Sequence, residues 1–260
     1  MIIGVDHILI AVENVEQAMA VYRRLGFDVQ AGGEHPRMGT YNALVPLSDG
    51  SYLELIGVRD RVKAALFPNS GSVVAALAHA NRLASFALDT NDMVADIEGI
   101  RGRGLEIADP MAGERMRPDG QKVAWRTAHF EIPHLPFLIQ DITPHSIRVP
   151  LPSSGIGAHA FLSQVVLNVS DAPAASRVWQ NLLGRIPTTG AEFTLARASV
   201  RLAHNQGQPN GIAALNIAIA DLDRRVQEMQ ERGIRIAQSQ SGMEIDPADT
   251  AGARILLSRA

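Results

Sequence analysis

One short phrase recurs along this chain and limits its fold more than any other feature: a strand, an Asp or Asn, an amphipathic stripe, and a glycine that ends it. In the first copy Asn14 stands where a helix N-cap belongs, Val15, Ala18, Met19, Tyr22 and Leu25 form one apolar stripe, and Gly26 stops it. A side-chain oxygen at the cap accepts from the free N–H groups of the first turn, and glycine adopts the left-handed geometry that closes the last one. Spacings of three and four are those of one helix face. The phrase returns from Asp92 to Gly104 and from Asp221 to Gly233, each with the twelve-residue cap-to-glycine interval of Asn14–Gly26, and from Asp171 to Gly184 with thirteen. Pro173 falls in the first turn of that last helix, where a missing N–H costs little.

An apolar strand precedes every cap, at 5–12, 83–89, 163–170 and 213–220. After the stop glycines, strands are expected at 27–32, 40–47 and 51–58, at 105–108, 122–131 and 137–142, at 192–197 and 199–204, and at 234–238 and 253–258. The chain therefore reads as four βαβββ units. A curved sheet of this size cannot bury its own concave face, so the units must pair. The expected class is α+β: repeated βαβββ modules paired into curved, partly open barrel-like sheets with helices outside. Residues 1–142 would form one pair, with modules at 1–58 and 82–142. The Pro-, Gly- and Ser-rich stretch 143–160 reads as a linker, and 161–260 as a second, degenerate pair with modules at 161–205 and 211–260. Short helices at 61–67 and 73–78 are expected on either side of Pro68-Asn69-Ser70-Gly71.

Bulk properties narrow the function classes. The formal net charge is -3 without a block of like charges, which argues against nucleic acid or an anionic membrane as partner. No apolar run reaches the roughly 18 residues a membrane span needs, and no basic leader precedes the first strand, so a cytoplasmic location is expected. The absence of cysteine removes disulfides, thiolate ligands and thiol nucleophiles together. There is no Gly-rich first turn for a nucleotide cofactor and no nucleophile elbow of the Gly-x-Ser-x-Gly type.

Within the first unit, Asp6-His7-Ile8 opens the first strand, Leu25-Gly26-Phe27 joins helix to strand, His35-Pro36-Arg37-Met38-Gly39-Thr40-Tyr41-Asn42 forms a turn and strand, and Tyr52-Leu53-Glu54-Leu55-Ile56 ends the unit. These residues resemble the vicinal-oxygen-chelate superfamily, and more closely its glyoxalase-like branch. The resemblance is carried by motif over 1–58 and by layout alone beyond. It implies paired modules that bind a divalent metal through His or Gln on a module's first strand and Glu on its last. His7 and Glu54 match those positions, and an imidazole with a carboxylate suits Zn, Ni, Mn or Fe. Alternatively, His7 is a hydrogen-bonded core histidine and Glu54 pairs with Arg37 or Arg126.

The other units complete the set poorly. Aligning the caps places Ser85, Gln164 and Ala214 opposite His7, and the strand opposite Glu54 offers at best Gln140. Gln164 or Gln140 would then be a third ligand. Asp6, adjacent to His7, is expected on the other face of the strand, a poor ligand and a better orienting or capping group. Arg37, Thr40 and Asn42, with Trp125 and Arg126 from the second unit, are the candidates for binding a substrate, Arg37 as a fork-shaped donor to an anion. Glu54, His35 and His129 are the candidates for moving protons.

The implied activity is a lyase or isomerase of glyoxalase type acting on a small oxygenated metabolite, with proton transfer through an enediolate-like intermediate. Two alternatives stand beside it: a metal-free protein that binds or sequesters a small molecule, and a ring-cleaving extradiol-type dioxygenase. The dioxygenase would need a second histidine, which no matching position supplies. The family also makes a homodimer an expectation.

Overall fold

The first strand is divided between two cores. The computed structural model describes residues 1–132, 134–205, 207–239 and 242–260. In it, β1 (Ile2–Ala11) sends Val5, Ile8 and Ile10 to an outer core, while Leu9 and Ala11 join an inner one. Strand side chains alternate with a period of two, so Val5 and Ile8 share a face only if the strand changes phase between them. It does. Against the neighbouring strand, Val5 pairs with Leu88 and His7 with Ala87, a bulge that leaves Asp6 over.

The first unit continues with α1 (Val15–Leu25), β2 (Gln30–His35), β3 (Thr40–Pro46) and β4 (Tyr52–Val58). After α2 (Arg61–Ala64) and α3 (Pro68–Ala76) comes the second: β5 (Leu83–Thr90), α4 (Met93–Gly102), β6 (Met111–Met116), β7 (Lys122–Ala128) and β8 (Phe137–Asp141). These eight strands close into a barrel in the order β1-β4-β3-β2-β6-β7-β8-β5. Modules one and two therefore face each other, a pairing left open by the sequence pattern alone.

A short helix α5 (His145–Arg148) and a 3-10 turn (Ile156–His159) lead to the third unit, β9 (Ala160–Val169), α6 (Ala172–Leu183), β10 (Glu192–Thr194) and β11 (Ser199–His204). The fourth is β12 (Gly211–Ile219), α7 (Leu222–Glu231), β13 (Ile236–Ser239), β14 (Gly242–Ile245) and β15 (Ile255–Arg259). The third unit supplies one strand fewer than the others. The second sheet thus has seven strands, β10-β11-β9-β12-β15-β14-β13, and remains open at β10 and β13.

Three helix caps act as their residue types dictate. Asn14 accepts from Gln17 N at 2.8 Å, Asp92 from Ala95 N at 3.2 Å, and Asp171 from Ala174 N at 2.9 Å. Gly26 ends α1 in the left-handed region at φ 100°. Asp221 differs: it is itself left-handed, φ 54°, and its side chain makes no cap bond. Two other expectations change. Residues 105–108 form no strand beyond an isolated Ile107–Phe130 bridge, and the sheet position is taken by β6, whose Met-Ala-Gly-Glu-Arg-Met sequence shows no apolar alternation. The expected break at Pro68-Asn69-Ser70-Gly71 is instead the first turn of α3, since proline at the first helical position gives up only an N–H without an intrahelical partner.

One continuous core joins the two halves. It holds Val5, Ile8, Phe86 and Leu88 from the outside of the barrel, Leu162, Val165, Leu215 and Ile217 from the second sheet, and the buried stripes of α1, α4, α6 and α7 between them. The chain also crosses directly, with Arg197 O accepting from Val5 N at 3.1 Å and the Arg197 guanidinium paired to Asp89. Inside the barrel a separate cluster of Leu9, Ile56, Ala87, Val123, Trp125, Phe137 and Ile139 packs under Val73 and Ala76 of α3. Among the described residues no helix is long and apolar enough to cross a membrane.

Candidate functional site

The barrel interior is only partly filled. Between α5 at one end and α3 at the other lies a cavity of about 150 Å³, and its walls carry both polar and aromatic side chains. His7 from β1 and Glu54 from β4 stand together on one wall, Nε2 to Oε2 at 3.4 Å. Thr40 and Asn42 of β3 share the inward face next to them, and Asn42 Nδ2 donates to Glu54 Oε1 at 2.6 Å. Across the cavity are Trp125 and Thr127 of β7, His129, and Phe137 and Ile139 of β8.

The β1 bulge gives His7 its second partner. It brings the Asp6 carboxylate to 2.5 Å from His7 Nδ1, although the two residues are neighbours in one strand. Burial, the largest influence on Asp6, pushes its carboxyl up, but Arg148 and His7 together outweigh it and hold the group well below the usual carboxylate range. A carboxylate can only accept, so His7 carries hydrogen on Nδ1 and turns Nε2 toward Glu54. The ring is further fixed by stacking on Tyr52, centroids 4.6 Å apart, and by the edge of Phe137.

Two further histidines are kept neutral. Burial pushes both His35 and His129 down to about 4. His35 Nδ1 lies 3.0 Å from Thr40 Oγ1, and His129 Nε2 lies 3.1 Å from Thr127 Oγ1 while its ring stacks on Phe137. A histidine kept neutral when folded opposes protonation that the unfolded chain accepts freely. Folding stability is therefore expected to fall as pH drops from about 6.5 toward 4, by on the order of 3 kcal/mol per buried ring at most. His145 acts with the opposite sign: the hydrogen bond to Asp141 raises it, so its contribution is full below the ordinary histidine value and is lost as pH rises through the raised one. Being partly exposed, it contributes less. Urea unfolding at pH 7 and pH 5 measures the balance, and His129→Phe should flatten the acid side.

The structure separates the residues singled out from the sequence into two groups. His7, His35, Arg37, Thr40, Asn42, Glu54, Trp125 and His129 all line the cavity. Arg126 is on the outward, exposed face of β7. Gln140 turns away to Asn91 O and Met93 N, and Gln164 is in the second sheet, donating to Glu192 and Ser199. Glu54 pairs with neither Arg37 nor Arg126; its partners are Asn42 and His7. Register also corrects the alignment by caps. The parallel pairs His7–Tyr52 and Ala87–Phe137 make Ala87, not Ser85, the counterpart of His7, and Leu9–Glu54 with Asp89–Ile139 makes Ile139 the counterpart of Glu54. By the same reasoning Asn216, opposite Gln164, replaces Ala214.

That register tests a metal directly. Of the four positions that would face one another across the barrel, two hold imidazole and carboxylate, and two hold a methyl and a branched alkyl group. Among the described residues no group of three or more His, Asp or Glu side chains could hold a metal ion. The donor set does not fit a resident divalent cation.

Several residues of the site escaped sequence reasoning. Arg148 and Arg115 are almost fully buried beside the cavity, in one polar cluster with Tyr52 and with Asp6, the orienting group named from the sequence. Gly32 is another: a Cβ there would meet Asn42 Oδ1 at 2.0 Å. Gly32→Ala is expected to push the amide off Glu54 and cost about 1–3 kcal/mol in urea unfolding, as overpacking does.

Comparison with known proteins agrees with this fold. The model of a glyoxalase-like domain matches residues 5–183. No curated protein matches the sequence. Among solved structures, a hypothetical protein from Staphylococcus aureus superposes with a TM-score of 0.75 at 17% identity, covering 100% of both chains. A mutant of 4-hydroxymandelate synthase from Streptomyces coelicolor gives 0.64 at 10% identity, over 99% of this chain and 92% of that one. At these identities the likeness is one of fold.

Proposed function

Since the chain belongs to the glyoxalase-like domain family of the vicinal-oxygen-chelate superfamily, we propose that its barrel binds a small oxygenated acid and moves a proton on it without a resident metal. The observation that carries this reading is the buried line Asp6–His7–Glu54, 2.5 Å and 3.4 Å between successive polar atoms, at the wall of the barrel cavity. Glu54 is the base that takes a proton from the carbon next to a carbonyl. His7 Nε2 is near enough to share that proton, and Asp6 balances the charge that the ring gains. Asn42 holds the other oxygen of Glu54 and so aims the carboxylate.

The other walls supply what an enolate needs. His35 stays neutral across the physiological range, so it acts as a hydrogen-bond donor to the substrate oxygen and not as a cation. Arg37 is exposed at the rim, and among the described residues its guanidinium has no ion pair or hydrogen bond, which leaves it for a carboxylate. Trp125, Phe137 and Ile139 form an apolar surface for the body of the ligand. The class this favours is a 2-oxo acid or a close relative, and the reaction class is isomerase or lyase.

The test is a panel of 2-oxo acids from pyruvate to 4-methyl-2-oxopentanoate, with binding followed by isothermal calorimetry. At least one is expected to bind, with Arg37→Ala weakening it tenfold or more. Chelator-washed protein should bind as well as untreated protein. If no member of the panel binds, or if binding requires added Zn, Ni, Mn or Fe, this reading is wrong.

A further inference from the structure

The structure assigns Arg148, on the helix that leaves the barrel, the role of a positioning residue for His7; the inference rests on the proton-transfer reading of the same site. Nothing in the sequence marks Arg148, which lies in the Pro-rich stretch between the two sheets. In the fold it turns back under the barrel and is 3% exposed. Its guanidinium is saturated. Nη1 donates to Asp6 Oδ1 at 3.2 Å and to Tyr52 Oη at 2.8 Å, Nη2 donates to Asp6 Oδ2 at 2.8 Å, and Nε donates to Asp141.

Two of those partners bear on His7 directly. Asp6 holds its Nδ1, and Tyr52 stacks on its ring. Asp141 ends β8 and connects to His145, whose Nε2 faces Gly50 O at 2.9 Å. A planar fork is what this arrangement needs: one cation must fix the plane of a carboxylate and also hold a phenol beside it. The helix is itself held down, because Arg115 donates to Arg148 O at 2.7 Å and to Gly32 O, and Val149 packs on Leu44 and Tyr52. Arg148 thus joins the connection between the sheets to the ring that works in the barrel, without touching the cavity's proton-transfer pair itself.

Arg148→Lys keeps the charge and loses the fork, and Tyr52→Phe removes one of its anchors. Either replacement leaves a chain more able to fold than Arg148→Ala, and circular dichroism melting establishes that it has folded. With histidine labelled by nitrogen-15, two-bond proton–nitrogen spectra report which ring nitrogen of His7 carries hydrogen. The wild type is expected to show the Nδ1–H form with a strongly downfield Nδ1 proton, and Asp6→Asn to abolish that resonance. Folded Arg148→Lys should show it shifted or broadened into exchange, with proton-transfer rate reduced tenfold or more and ligand affinity within about threefold of wild type. An unchanged His7 spectrum and an unchanged rate in folded Arg148→Lys and Tyr52→Phe would overturn the assignment. The spectrum reads the hold on His7 whether or not the wild type turns over a substrate. A responsive spectrum with no proton transfer in wild type therefore removes the proposed reaction and leaves the positioning intact.

Discussion

Replacing Glu54 by glutamine is expected to lower the rate of proton transfer to and from a bound 2-oxo acid by roughly 10²–10⁴, the usual worth of a positioned general base. Glutamine has nearly the same shape, so the cavity and its apolar wall survive. It cannot take a proton, and its amide offers His7 Nε2 a donor where the carboxylate offered an acceptor. Affinity should change only a few fold, because binding in this account rests on Arg37, His35 and the aromatic wall. A loss confined to the rate separates removal of a base from damage to the pocket. His7→Gln should fall in the same direction by a smaller factor, since Glu54 keeps Asn42 as its partner.

The second large effect concerns stability. Arg148→Met is expected to cost about 3–5 kcal/mol in denaturant unfolding, the range for breaking a buried ion pair by removing one partner. The reason is the company it leaves. Asp6 is fully buried and Asp141 mostly so, and without the guanidinium two carboxylates and the Tyr52 hydroxyl lose their shared donor. The coupled variant Asp6→Asn with Arg148→Met removes one charge of each sign. It should be less destabilised than the sum of its parts, a coupling that a double-mutant cycle measures directly.

The sequence carried much of the fold for a simple reason. Caps, stop glycines and apolar stripes are local signals, and the strand–helix–strands layout repeats them often enough to be read. What it carried poorly were features that depend on register. The Asp6 bulge shifts β1 by one residue, so Asp6 joins His7 where alternation puts it on the opposite face. Caps aligned Ser85 with His7, whereas hydrogen-bonded pairing selects Ala87, because the spacing from strand to cap differs between the modules. In the second half, the strands expected at 192–197 and 199–204 correspond to β10 and β11, whereas β14 of the fourth unit escaped, because its four residues Gly-Met-Glu-Ile are too few to show alternation.

The site divides the same way. Residues with chemistry on recognisable strands, such as His7, Asn42 and Glu54, stood out by type and by resemblance. Arg115 did not, because β6 lacks alternation: of its six residues only that arginine is buried. Arg148 did not, because a Pro-rich connection gives no reason to expect a buried cation. Both are long side chains whose burial depends on carbonyls and carboxylates contributed by distant parts of the chain, and only the assembled barrel shows those partners.

Proton transfer by Glu54 and His7 with no metal in the site is open to direct observation. Its most direct measurement is proton NMR in deuterium oxide, following loss of the C–H signal next to the carbonyl of the tightest-binding 2-oxo acid, with chelator-treated protein. The predicted result is deuterium incorporation well above the protein-free rate, unaffected by chelator and lost in Glu54→Gln. Incorporation that appears only when a divalent metal is restored, or that persists in Glu54→Gln, would contradict it.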